Sequence, residues 1–526
     1  MPRYDVVIAG GGHNGLVAAA CLARAGRKTI VLERRAMVGG CAVTEEAWPG
    51  YRVSTAAYLS SLMPDRIVSE LDLERHGYHV DAKDPASFSV YPDGRHFFMW
   101  QDRSKTLAEI ARFSRQDAEV YPVYEALIER ISRVVEGLLL AAPPAFPPRG
   151  IGDYLDYLKL AGRLRGLNPH DCVALVKIFT MSAAAFLDEW FQSDHVKAAM
   201  ATDGVIGANG GPRSPGTAYI LLHHSMGAAG GRRGLWGFVR GGMGALSEAI
   251  AASARASGAT IQTRAQVTKV LIRQGRASGV VLENGDEIEA RTVVSNLDPK
   301  ATFLRLVDGC DLESDFVNAI RNYRSEGTSC KINLALNGLP EFRGYPGSPG
   351  PHHRATIHIC PSIEYMERAW DDAKYGRPSQ RPMLEVTLPT LYDPTLAPYG
   401  KHICGIFVQY APYTLREGNW DQLREPFAEQ VISLLEEYAP NIRQLVERRQ
   451  VLTPLDLERT FGLTGGNIFH GDMALDQMFA LRPVAGCARY RTPVPGLYLC
   501  GAGTHPGGGV MGAAGYNCAR EILKGK

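Results

Sequence analysis

Residues 4–35 read YDVVIAGGGHNGLVAAACLARAGRKTIVLERR. Tyr4 to Ala9 has the unbroken apolar character of a buried parallel strand, Asn14 to Ala25 that of a helix rich in small residues, and Thr29 to Leu32 that of a second strand. A right-handed crossover between the strands brings the glycine turn and the end of the second strand to one edge of a sheet. Gly10, Gly12 and Gly15 fit G-x-G-x-x-G, and Glu33 stands 23 residues beyond Gly10. The first glycine permits the tight turn, the second lets backbone approach a pyrophosphate, and the third lets helix and strand pack closely. The helix N-terminus offers free N–H groups to phosphates, and Glu33 is placed to accept from ribose hydroxyls. This is the pattern of a dinucleotide site.

Further along, Pro85 to Leu235 reads as mostly helical, including a helical pattern over Asp188 to Ala201. From Gly258 to Asn296 short strand patterns take over, and Asn284-Gly285 between two of them signals a hairpin. "GLYLC" (Gly496 to Cys500) is again a buried strand, followed by glycine loops and a helix from about Val510 to Leu523. The alternation predicts an α/β protein: a Rossmann-like FAD-binding domain of discontinuous segments (1–84, 235–300 and 489–526), with an inserted mixed α/β substrate domain (85–234 and 301–488).

Three further segments separate FAD from NAD. Gly39 and Gly40 in "AMVGGCAV" leave bare backbone beside the second strand. Gly241, Gly242 and Gly244 open a helix. "GLYLCGAGTHPGGGVMGAAG" (Gly496 to Gly515) presents Gly507, Gly508, Gly509 and Gly512 before the last helix. A flat ring needs such side-chain-free backbone, and the positive end of a helix favours the anionic reduced flavin. After no other strand does a second G-x-G-x-x-G occur, so no separate NAD(P) domain is expected.

The chain has 526 residues, with 57 Lys plus Arg against 55 Asp plus Glu and a net charge of +2. That balance gives no electrostatic reason to expect nucleic acid. No stretch reaches the roughly 18 apolar residues of a membrane span. "EGLLLAAPPAF" (Glu136 to Phe146) is the most lipid-like piece and reads as a core helix end or loop; peripheral membrane association stays open. The ten cysteines, with no C-x-x-C among them, read as buried thiols in a reducing compartment.

With "ERRAMVGGCAVTEE", "WGFVRGGMGALSEAI" and "GGNIFHG", these segments resemble the FAD-binding superfamily that contains amine oxidases, phytoene desaturases and retinol saturases, over essentially the whole chain. The resemblance implies that Gly10, Gly12, Gly15, Glu33, Arg35, Gly39 and Gly40 hold the ADP half of FAD, with His13, Asn14, Arg34 and Cys41 in the same set. It implies adenine contact through the Val267 backbone, and flavin contact by Gly501, Gly503, Gly509, Val510 and Met511. Cys41 stands where many amine oxidases have arginine, removing a contact to FAD or to a substrate acid.

For chemistry, the resemblance matches Lys331 in "SCKINLAL" to a lysine that reaches flavin N5 through a water. Val510 stands where amine oxidases place an aromatic residue, which counts against a small amine and for an apolar, phytoene-desaturase-like substrate. His505, between glycines, and His224 are candidate acid/base groups, with His223, His470, Asp472 and Trp236 behind them. No metal-ligand spacing or G-x-S-x-G elbow is present, so neither a metal nor hydrolysis is expected. The expected activity is an FAD-dependent oxidoreductase removing hydride from a C–H or C–N bond, with oxygen, a quinone or another carrier as electron acceptor. A redox-neutral flavin-dependent isomerase and an FAD-bound regulatory protein are the alternatives. Location is expected to be cytoplasmic in a bacterium, and mitochondrial matrix in eukaryotic relatives. Oligomeric state is not legible.

Overall fold

The computed structural model describes residues 4–148, 150–229 and 232–525. Among them, one seven-stranded sheet runs Thr260–Gln262, Thr29–Leu32, Tyr4–Ala9, Glu287–Ser295, Arg276–Leu282, Val267–Arg273, with Leu497–Leu499 also on Glu287–Ser295. Its centre is parallel: Tyr4–Ala9 pairs with both Thr29–Leu32 and Glu287–Ser295, and Val293 to Ser295 pair with Leu497 to Leu499. Glu287–Ser295 also ends an antiparallel meander with Arg276–Leu282 and Val267–Arg273, and Gly285 takes φ +90° in the turn that joins two of these strands. The helix His13–Arg24 lies against this sheet, between the helices Met243–Ala256 and Ala513–Lys524. The fold is therefore α/β and Rossmann-like, assembled from chain segments hundreds of residues apart.

A second seven-stranded sheet runs Val446–Leu452, Ser329–Leu336, His402–Gln409, Met383–Thr387, Thr356–Ile359, Ser87–Val90, His96–Met99. It is antiparallel except between Thr356–Ile359 and Ser87–Val90. Alternate residues face opposite ways along each strand. Cys330, Ile332, Leu334, Leu384, Val386, Ile357 and Ile359 join one apolar core with the helix Trp420–Tyr438, and Lys331, Glu385 and His358 lie on the other face. The stretch after Pro85 thus opens with a hairpin of this sheet before turning helical at Arg103.

Over Asp188 to Ala201 the structure departs from one continuous helix: Ala183–Asp188 and Asp194–Ala201 are separate. The buried Asp117 carboxylate accepts the backbone N–H groups of Gln192 (2.9 Å) and Ser193 (2.9 Å), which breaks the helix between them. The lipid-like stretch begins in the last turn of the helix Arg115–Leu139, and Leu139 is buried. Among the described residues no helix is long and apolar enough to cross a membrane. All ten cysteines are free; six are buried, but Cys172 and Cys310 are exposed, because each lies on a solvent-facing helical turn rather than in the core.

The first and last helices meet at Gly515, where an added Cβ would overlap the carbonyl of Asn14. Alanine would gain about 1 kcal/mol of helix propensity there, but the overlap is with backbone, so overpacking falls in the upper part of its range, about 2–3 kcal/mol. Gly515→Ala is expected to lower the urea midpoint, with unchanged slope, by a net ~1–2 kcal/mol; unchanged or raised stability would contradict this packing.

Candidate active site

The glycine turn, the end of the second strand and the final glycine loop enclose a cleft of about 450 Å³. Of the residues expected to hold a cofactor, Gly10, Gly12, His13, Asn14, Glu33, Arg34, Arg35, Gly39, Gly40, Cys41, Val267, Gly509 and Val510 line it. Glu33 organises this end: one carboxylate oxygen accepts the Gly11 N–H (2.7 Å) and the other the Arg35 N–H (2.8 Å). The turn is thereby tied to the strand, with carboxylate lone pairs left over. Arg35 is held by Glu45 (2.6 Å) and stacks over Phe461, 5.0 Å from its centroid.

Four polar atoms of the cleft residues are buried without a protein partner among the described residues: Asn14 Oδ1, Arg35 Nη1, Ser329 Oγ and His470 Nδ1. Buried polar atoms of this kind are costly unless something else satisfies them. At Gly12 a Cβ would come within 2.8 Å of Asn296 Nδ2, so only bare backbone fits beneath the cleft. An elongated, polar, phosphate-bearing dinucleotide fits this polar, glycine-floored cleft.

The remaining expected cofactor residues sit behind the wall. A Cβ at Gly15 would overlap the Gly10 carbonyl, one at Gly503 would overlap the Pro299 ring, and one at Gly501 would lie 2.8 Å from the Asn296 carbonyl. Met511 is 2% exposed in the core, and Ala502 reaches the cleft instead. These residues allow close packing of the layers that carry the cleft. Gly241, Gly242 and Gly244 also serve packing: the N–H groups at that helix start go to Asp393 (2.7 Å), Ser54 (3.0 Å from Met243 N) and Thr44 (2.9 Å from Gly244 N). Val510 takes φ +56°, a left-handed conformation that a β-branched residue rarely adopts, and it lines both this cleft and a second cavity.

That second cavity, of about 670 Å³, shares Ala57, Tyr58, Ile468, Phe469, Gly509 and Val510 with the cleft. Its walls include Tyr121, Tyr124, Ile128, Met200 and Leu221, and His224 and Trp236 belong to it as well. His224 Nδ1 donates to the Ile220 carbonyl (3.0 Å), and Trp236 Nε1 donates to the His224 carbonyl (3.0 Å). His505 is not brought to either space. Its Nε2 donates to the Leu138 carbonyl (3.2 Å), it lines a separate cavity of about 530 Å³, and burial lowers its pKa to about 4. The glycines beside it turn the chain so that the ring points into the helical layer, away from the cleft. His223 is buried on Gly508, donating to its carbonyl (3.1 Å). Asp472 lies behind the cleft, paired with Arg324 (3.5 Å) and bonded by Asn467 (3.2 Å). The loop carrying Phe469 and His470 is pinned by the fully buried Arg482, which donates to the carbonyls of Phe469 (2.7 Å), Asp472 (2.9 Å) and Ala502 (2.9 Å).

Lys331 lines the cleft, with Nζ 4.8 Å from the centroid of the Tyr58 ring. Gly405, two residues from Phe407 on the neighbouring strand, leaves the room, since a Cβ there would stand 2.6 Å from Nζ. Strand register places Lys331 beside Phe407, Phe407 beside Glu385, Glu385 beside His358 and His358 beside Ser89, one row across the sheet. His358 Nε2 donates to Glu385 Oε1 (3.0 Å), the Tyr58 hydroxyl donates to Glu385 Oε2, and Lys83 Nζ donates to Thr356. Burial lowers Lys331 to about 8 and, despite Glu385 and Asp203, lowers Lys83 to about 8. Burial opposes ionisation of Glu385, but the bonds from His358 and Tyr58 and the charge of Lys83 outweigh it and hold the carboxyl below its ordinary value. Burial raises Asp203, and burial with the neighbouring Glu385 raises Tyr58 far above the usual phenol range. Sequence reasoning found Lys331 and missed Glu385 and His358 of this row, with Tyr58, Lys83 and Asp203 beside it. The signal was the same for two of them: a lone polar residue inside the apolar strands "MLEVT" and "TIHI".

Two chain ends meeting over a dinucleotide cleft, with a second cavity against it, define a flavoenzyme architecture. Residues 15–523 match the family of flavin-containing amine oxidoreductases, and the chain belongs to that family. It is an FAD-dependent oxidoreductase. More narrowly, it is 44% identical over 544 residues to rat "Pyridine nucleotide-disulfide oxidoreductase domain-containing protein 2", covering 99% of this chain and 94% of that protein. It is 27% identical to a limonene dehydrogenase polypeptide of Castellaniella defragrans, over 99% of this chain and 95% of the relative. Among solved structures, an oxidoreductase from Methanosarcina mazei superposes with a TM-score of 0.61 at 17% identity, covering 99% of this chain and 100% of that one.

A hydrogen bond to a charged group contributes about 1.5–3 kcal/mol. Glu33→Ala, losing such bonds at both oxygens, is expected to bind FAD at least roughly tenfold more weakly, read as the Kd from titration of the flavin-stripped protein; an unchanged Kd would exclude the anchoring role of Glu33.

For Lys331, folding lowers the pKa from 10.5 to about 8. Between those values the unfolded chain holds a proton that the folded chain has released, so stability rises with pH there; below about 8 both states are protonated and the full penalty of burying the ammonium applies. Melting temperatures measured from pH 7 to pH 10 should therefore rise in the wild type relative to Lys331→Met, with the gap largest at the low end. Parallel curves for the two proteins would show that the ammonium is not strained by burial.

Proposed function

We propose that the chain removes hydride from a C–H or C–N bond of an apolar small molecule held in the 670 Å³ cavity. One observation carries this reading: that cavity and the cofactor cleft share a wall at Ala57, Tyr58, Ile468, Phe469, Gly509 and Val510. The last two are among the residues assigned to the flavin ring, so a molecule in the cavity stands against them. FAD, when bound, supplies a two-electron acceptor, and oxygen, a quinone or another carrier relieves it.

The protein's own groups divide the remaining work. Tyr121, Tyr124, Ile128, Met200 and Leu221 hold an apolar body and exclude water. Asn14 and Arg35 line the cofactor cleft, and Glu33 fixes the turn beneath it. Lys331 holds a proton at Nζ close to Tyr58, where it stabilises negative charge or, once neutral, orders a water. Phe469 and His470 are kept in place by Arg482. The limonene dehydrogenase relative, whose name is that of a dehydrogenase acting on a hydrocarbon, supports an apolar substrate. The free thiols support a reducing compartment, the cytoplasm of a bacterium or the mitochondrial matrix of a eukaryotic relative. The same reading assigns residues 1–84, 235–300 and 489–526 chiefly to the cofactor, and 85–234 and 301–488 chiefly to the substrate.

Anaerobic mixing of the FAD-loaded protein with a panel of apolar molecules tests the reading. Flavin bleaching with an equivalent amount of oxidised product is the expected result. Product without electron uptake would make it an isomerase instead, and a stable protein complex with no bleaching by any compound would make it a regulator.

A further inference from the structure

The row of polar residues on the substrate sheet leaves hydrogen-bonding capacity facing the 670 Å³ cavity. Tyr58, Lys83, Asp203, His224, His358 and Glu385 all line it, and Tyr58 places this end at the seam with the cofactor cleft. The exposed Arg103 and Glu129 line its opening to solvent. Glu385 is already occupied by His358 and Tyr58. The Tyr58 hydroxyl, with its O–H donated to Glu385, keeps its lone pairs for another donor. His224 spends its Nδ1–H on the Ile220 carbonyl, so only Nε2 of that ring remains for another partner. The Asp203 carboxyl makes no hydrogen bond among the described residues, and the Lys83 ammonium spends one N–H on Thr356.

Charge decides what these groups receive. Lys83 and Glu385 lie in the same cluster and offset each other, while burial drives Asp203 toward its neutral acid. An ammonium or carboxylate brought here would add a buried charge without a counter-ion. A hydrocarbon would leave the acceptors dry. A hydroxyl, both donor and acceptor, answers both demands.

We propose that this end of the cavity binds the hydroxyl group of a neutral, otherwise apolar substrate, with Tyr58 and Asp203 as the residues that recognise it. The inference rests on the proposed oxidation of an apolar molecule and names that molecule's polar group.

The FAD-loaded protein is titrated with 1-decanol, decane, decylamine and decanoate, each below its solubility limit. Affinity is read from perturbation of the flavin absorbance and from the shift in melting temperature. Decanol should bind at least about tenfold more tightly than the other three, a discrimination of about 1.4 kcal/mol. Tyr58→Phe and Asp203→Asn should each weaken decanol roughly fivefold and leave decane unchanged, a loss expected when a buried hydrogen-bonding partner is removed. Should one variant fail to fold, as judged by its melting curve without ligand, the other decides. Equal affinity for decane, tighter binding of decylamine or decanoate, or equal loss for all probes in the variants would overturn the assignment. Bleaching read in the same cuvettes separates the two ideas. Selective decanol binding with no bleaching by any apolar compound would count against hydride removal alone, and bleaching that ignores the head group would count against the hydroxyl site alone.

Discussion

The backbone approach between the first and last helices, with Gly515 against the carbonyl of Asn14, is the constraint on which the rest depends. These two residues stand near opposite ends of the chain, yet the parallel strands Tyr4–Ala9, Glu287–Ser295 and Leu497–Leu499 must lie side by side for the two helices to meet. Once they do, the opening glycine turn and the final glycine loop close over one cleft. Everything inserted between them is free to form a separate sheet, provided it returns to that edge. The alternation of strand and helix patterns along the chain is the outward sign of this return.

Within the site, the governing cost is that of burying charge. Lys83, Lys331 and Glu385 are each at most 4% exposed. Charges are kept out of water only when partners are arranged around them. Here Glu385 has two hydrogen-bond donors and a nearby ammonium, while the two lysines keep a lowered affinity for their protons. An apolar row on this strand face would be simpler to fold. Retaining ionisable groups where two cavities share a wall is the arrangement of a reactive or discriminating site rather than of a core.

Backbone strain is concentrated at the same place. Val510 and His470 both have positive φ, at +56° and +59°, and both line the cofactor cleft. Such conformations persist only where the surroundings hold them. For His470 the hold is visible: Arg482 gathers the carbonyls of the loop, including those on both sides of it, and ties them to Ala502 beside the final glycine loop. Arginine suits this because its planar guanidinium presents five donors at once.

Much of the cofactor site could be read directly from residues 4–35, because a dinucleotide turn is local: its glycines, its helix start and its acid lie within one βαβ unit, and spacing alone carries the chemistry. Strand limits at Tyr4–Ala9 and Thr29–Leu32, the Asn284-Gly285 turn and the closing strand and helix follow from apolar runs and turn residues in the same way. His505 shows where that logic stops, since neighbouring glycines say that backbone comes close to something but not to which side a ring will point. The split of Asp188 to Ala201 was hidden because its cause, Asp117, lies 75 residues from the Gln192 N–H that it holds. The row of Lys331, Glu385 and His358 was hidden for a stronger reason: each is a single polar residue on a separate strand, and only antiparallel register sets them side by side. Local patterns therefore carry the cofactor class and the order of elements around it. Which buried polar groups meet was settled by the folded arrangement, because pairing across a sheet is a relation between distant segments that no local spacing contains.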